Sequence, residues 1–158
     1  MREVLSVALI WFHLTATIVW LGGIAFILLV ALPSARQVLR VEAGGLMAEI
    51  TRRFTPMVNL SILLLLLSGI LLMAINNNIS GEVLKGVHGT AMLFKLLLFL
   101  MMVWVHYFRG KVLTPRIAKT QLDGEKARLQ KLSLNLVWLN FGFGLVVLLL
   151  AALSEPSS

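Results

Sequence analysis

The 158-residue chain contains no cysteine, which excludes disulfides, thiolate metal sites, iron–sulfur clusters, covalently attached c-type haem and cysteine nucleophiles. Charge is scarce as well. Only 13% of residues are charged, against about 25% in an ordinary soluble domain. The seven acidic residues all fall outside the long apolar runs, so no carboxylate pair is available there for acid–base chemistry. Glycine-rich phosphate loops, HExxH zinc motifs and serine nucleophile elbows are absent too. What the chain has in excess is hydrocarbon: 59% of residues are hydrophobic and the mean hydropathy is +0.93. A core of this size cannot hide that much apolar surface, so the surplus must face lipid.

A bilayer core about 30 Å thick takes roughly 20 apolar residues in a helix. Four such runs occur, at residues 4–32, 54–75, 87–108 and 132–153. The expected fold is an all-α integral membrane protein, a four-helix transmembrane bundle forming one domain over residues 1–158. The first run exceeds the 7–15 residues of a signal-peptide core and lacks a small-residue cleavage site, so it reads as a retained span. Pro33-Ser34 should stop the first helix. Asn76-Asn77-Asn78 with Gly81 should turn the second helix into the third, and Thr114-Pro115 with Asp123-Gly124 should punctuate the last connection.

The formal net charge of +7 lies beside the spans, where it reports orientation rather than nucleic-acid binding. Arg36, Arg40, Arg52 and Arg53 fall in the first connection. Arg109, Lys111, Arg116, Lys119, Lys126, Arg128 and Lys131 fall in the third, while Arg2 and Lys85 are alone on the opposite side. The positive-inside rule then puts both termini outside the cytoplasm, in what would be a bacterial inner membrane. The two basic connections should include short amphipathic helices on the inner leaflet, with Leu39, Val41, Leu46, Met47 and Ile50 in the first and Ile117, Leu122 and Leu129 in the third on their apolar sides.

Ionisable groups within a span are expensive and are therefore functional candidates. Here they are His13, His88, Lys95 and His106. His13 and Lys95 each lie eight or nine residues into their runs, roughly 12–14 Å deep at 1.5 Å per residue. His88, Lys95 and His106 share nearly one helix face, yet the two histidines stand about 27 Å apart along it and cannot hold one metal ion. A site must join His13 to an imidazole of another helix or another chain. A porphyrin relaxes the depth requirement, which favours haem b over a compact metal site, with His13 as axial ligand, His88 or His106 as a second, and Lys95 near a propionate. Thr17 and Trp20 follow His13 on its face, and Gly22-Gly23 would admit a neighbouring helix or a flat cofactor. Asn59, Ser61, Ser68 and Gly69 in the second run, and Asn135, Asn140, Gly142 and Gly144 in the fourth, read as interhelical hydrogen bonding and close packing. Met92, Met101 and Met102 read as apolar filler. A symmetric dimer or larger oligomer would double the imidazoles at a shared interface.

The stretch His13-Leu-Thr-Ala-Thr-Ile-Val-Trp20-Leu-Gly22-Gly23, running on to Leu32-Pro33, resembles the copper-resistance D (CopD) membrane family. So does Phe94-Lys95 followed by His106-Tyr107-Phe108-Arg109 and Pro115, which is also similar to the HemJ-type haem-binding protoporphyrinogen oxidases. The second resemblance implies that His13 and Lys95 form a functional pair with His106 nearby. The first implies copper transport or copper tolerance. Four functions follow as expectations: a haem b membrane cytochrome with a redox role, a copper transporter or tolerance protein, a protoporphyrinogen oxidase of the HemJ type, and a packing subunit or assembly factor of a larger membrane assembly.

Overall fold

The computed structural model describes residues 1–75 and 87–154, and the secondary structure of these residues is helical. Three helical stretches are long and apolar enough to cross a membrane: Arg2–Ile75, Gly89–Lys119 and Asp123–Leu153. In their most apolar windows only 28%, 17% and 11% of residues are buried. Such outward-facing hydrocarbon needs a lipid surround, and the protein is an integral membrane protein. The chain divides into two compact units, Met1–Ser80 and Gly81–Ser158.

The first unit is a helical hairpin. Its outgoing arm comprises α1 (Arg2–Thr17), a π-helical segment (Ile18–Gly22), α2 (Gly23–Phe26), a second π-helical segment (Ile27–Ala31) and α3 (Leu32–Leu39). Arg40 then takes φ 45° and ψ −96°, and after one 3₁₀ turn the chain returns along α4 (Ala43–Ile75). Contacts between His13 and Ser68, and between Gly23 and Phe54, fix the two arms as antiparallel. The buried core between them includes Leu9, Ala16, Trp20, Ile24, Val58, Ile62 and Leu65.

The second unit repeats the plan with α5 (Val87–Phe108), a π-helical segment (Arg109–Leu113), α6 (Thr114–Lys119), an extended residue at Thr120 and the return helix α7 (Asp123–Ser154) packed on α5. Asp123 and Glu125 lie in the first turn of α7, where carboxylates favour the positive end of the helix dipole.

Three expectations about the connections need correction. Pro33 does not stop the first helix. It sits near the start of α3, immediately after a π-helical segment, just as Pro115 does in α6. Bonding from i to i+5 lets the carbonyl four residues before a proline pair with the residue after it, so the missing N–H breaks no turn. Nor do Leu46, Met47 and Ile50 form a separate surface helix, since α4 runs without interruption from Ala43 into the apolar run. The same holds for Leu129 in α7. Asn76, Asn77, Asn78, Gly81 and Lys85 lie outside the described residues.

The parallel between the units extends to single positions. Pro33 and Pro115 are 82 positions apart, and the π-helical segments before them are displaced equally. At that displacement buried Ala16 and Trp20 correspond to buried Leu98 and Met102. On the return arms a displacement of 79 positions pairs buried Ser61 with Asn140 and buried Leu65 with Gly144.

Candidate functional site

Within the first unit, α1 presents His13 to α4, where its Nδ1 lies 2.8 Å from the Ser68 hydroxyl. Ser68 donates its own proton to the Leu64 carbonyl at 2.6 Å, the closer of two carbonyls it approaches. A hydroxyl has one proton to give. Ser68 must therefore accept from His13, which puts a proton on Nδ1, so that in the neutral imidazole the lone pair lies on Nε2. Thr17, one turn on, turns its hydroxyl back to the His13 carbonyl at 2.9 Å and so does not compete for the ring. Gly69 borders the imidazole: a Cβ there would stand 3.8 Å from Cε1, ordinary contact. The ring is half-buried.

Further along the same arm, Trp20 is buried at 3% exposure. The two glycines beyond it differ. A Cβ at Gly23 would overlap the Phe54 ring, whereas Gly22 has open space around it. The close approach foreseen at Gly22-Gly23 is thus taken, at Gly23, by an aromatic side chain of the same hairpin.

The second unit holds the remaining candidates. Lys95 is half-buried on α5 and interacts within the protein. Its position does not by itself demand a propionate. His106, also half-buried, sets its ring edge-on to Tyr107 at 5.3 Å. His88 belongs to the first turn of α5, but its side chain lies outside the described residues. Because α5 is α-helical throughout, His88 and His106 keep their separation of about 27 Å. Within a unit, then, the structure joins His13 to Ser68 and holds the other two histidines apart on one helix. Among the described residues no three His, Asp or Glu side chains gather to hold a metal ion.

Sequence reasoning expected interhelical hydrogen bonding from Ser68, for which the structure supplies the partner, His13, and it related His13 to Lys95 by depth and by family resemblance rather than by position in a repeat. The signal for the latter was present in the spacing: His13 precedes Pro33, and Lys95 precedes Pro115, by the same 20 residues. Asn140, the counterpart of Ser61, is buried, and its Oδ1 has no hydrogen-bond partner among the described residues.

Residues 48–154, well over half the chain, match the family described as Copper resistance protein D. The protein belongs to the CopD family. The matched stretch includes Ser68, Lys95 and His106 and begins after His13. No curated protein and no solved structure matches the chain.

Proposed function

We propose that this CopD-family protein carries copper into or across a membrane as part of copper tolerance. The observation that carries this reading is the family match over residues 48–154, and it favours copper over the haem b expected from the histidines. The chemistry around His13 is compatible. A neutral imidazole suits copper, and Ser68 holds this one in the tautomer with Nε2 unprotonated. Outer partners of this kind orient a ligating histidine and raise its basicity. A sparse ligand set is appropriate to copper as cargo, since a conducted ion must bind well enough to enter and weakly enough to leave. Two hairpins of one plan also fit a transport reading, because internal repeats recur among membrane transporters.

In this reading Arg2–Ile75 makes two passes, reversing at Arg40, so that the chain crosses four times in all. The basic connections face the cytoplasm of a bacterial inner membrane with both termini outside, and a symmetric dimer brings two copies of His13 into one assembly. Copper uptake by vesicles containing the purified protein, with bound metal measured in parallel, tests the proposal. Uptake that depends on His13 supports it. Failure to bind or move copper, or a Soret band with a b-type pyridine haemochrome from the purified protein, would overturn it in favour of the cytochrome.

A further inference from the structure

An open apolar groove of about 520 Å³ runs along the first hairpin between its outgoing arm and the start of α4. Ile18, Phe26, Ile50 and Met57 line its sides, Gly22 opens its floor, and among the described residues Arg53 is the one charged side chain on it. On the outgoing arm it extends from Ile18 to Ile27, about 14 Å at 1.5 Å per residue. That is close to half the thickness of a ~30 Å hydrocarbon core, the depth of a single leaflet. Arg53 directly precedes the apolar run of α4 and lies on the groove between Ile50 and Met57, from where its long side chain can reach toward the head-group level.

The two arginines beside the groove are not equivalent. Arg52 gives both Nε and a terminal nitrogen to Glu49, at 2.8 Å each. Arg53 gives Glu49 only its Nε, at 2.6 Å, and its terminal nitrogens have no hydrogen-bond partner among the described residues. At the corresponding positions the second hairpin lacks this combination, since the counterparts of Gly22 and Arg53 are Trp104, stacked on Phe108 at 5.1 Å, and Leu132.

We propose that this groove binds an anionic glycerophospholipid, one acyl chain lying between the arms and the head-group phosphate held by the terminal nitrogens of Arg53. An apolar lining and an exposed forked cationic donor set beside it together match that amphiphile. The inference does not depend on the copper reading.

The test is native mass spectrometry of the full chain in mild detergent with phosphatidylglycerol and phosphatidylcholine of matched acyl chains. Phosphatidylglycerol should be retained about fivefold better, the scale of one basic side chain near a lipid surface. R53Q should abolish that preference and R52Q should leave most of it. Gly22→Trp, which copies the second hairpin, should lower retention of both lipids. Equal retention of the two lipids by the unaltered protein, or an R53Q protein that keeps the preference, would overturn the proposal. So would a Gly22→Trp protein with undiminished lipid and an altered oligomer mass, which would assign the groove to a second copy. Arg53 is exposed, so R53Q keeps the test valid even if Gly22→Trp does not fold.

Discussion

Twenty residues ahead of Pro33 the first hairpin carries the imidazole of His13, and twenty residues ahead of Pro115 the second carries the ammonium of Lys95. On the return arms the counterpart of Ser68, which orients His13, is Val147. The backbone plan is nevertheless the same in both: a long outgoing helix, a π-helical segment, a proline-led short helix and a long return helix. The difference teaches that proline placement and buried small or apolar residues maintain the hairpin, while the polar groups set into it are at liberty to diverge. Where the first hairpin has an imidazole and an open groove, the second has a lysine and a stacked aromatic pair.

The sharpest way to break this comparison is at its polar positions. His13→Ala should reduce copper uptake by more than about 100-fold, beyond the range seen when only an outer partner of a metal ligand is lost, and Lys95→Ala should retain more activity. Vesicle uptake assays on both variants check this, and equal losses would mean that the two positions act alike.

Next in size is the contrast between adjacent glycines. Gly23→Ala forces the Phe54 ring aside and should destabilise by about 1–3 kcal/mol. Gly22→Ala, with open space around it, should stay within about 0.5 kcal/mol. Thermal unfolding in detergent separates the two.

Ser68→Ala, which gives the first hairpin an apolar residue as the second has at Val147, should weaken copper binding about tenfold. It should also remove the Nδ1-protonated pattern from the imidazole nitrogen NMR spectrum, while Ser68→Thr preserves both. A spectrum unchanged in Ser68→Ala would show that the hydroxyl does not select the tautomer.

The turns provide a smaller contrast. Arg40 reverses the chain at positive φ, so Arg40→Gly should be neutral or stabilising by up to about 1 kcal/mol. Thr120, in ordinary extended backbone, should lose up to about 1 kcal/mol on replacement by glycine. Opposite shifts in unfolding midpoint are the expected result.

The smallest effect concerns acid. Hydrogen bonds from Arg52 and Arg53 hold the exposed Glu49 carboxyl down to about 2, whereas the corresponding residue of the second hairpin is Arg128. A carboxyl lowered in the folded state contributes stability that is fully present above its ordinary pKa, near 4.5, and is lost as pH falls toward 2. Wild-type and Glu49→Gln proteins should therefore converge in stability across that window, and added salt should shrink the difference at neutral pH.

Much of this was legible in the chain. Apolar runs longer than a bilayer requires, the scarcity of charge and the position of the arginines and lysines point to a helical membrane protein, because lipid leaves the backbone few alternatives to a helix. The short motifs around His13 and Lys95 were enough to suggest the CopD family that the match over residues 48–154 establishes. The prolines misled, since a proline is a helix stop only where the preceding turn keeps α bonding, and that depends on the backbone on both sides.

The sequence by itself thus determined the environment, the helical class and the family, all properties that follow from composition, period and local spacing. Tertiary structure alone decided that His13 meets Ser68, that Phe54 occupies the space above Gly23, and that Gly22 and Arg53 share a groove. Each of these joins residues from opposite arms of a hairpin. Their register is set by how the side chains of two whole helices interlock, which no local stretch of sequence encodes.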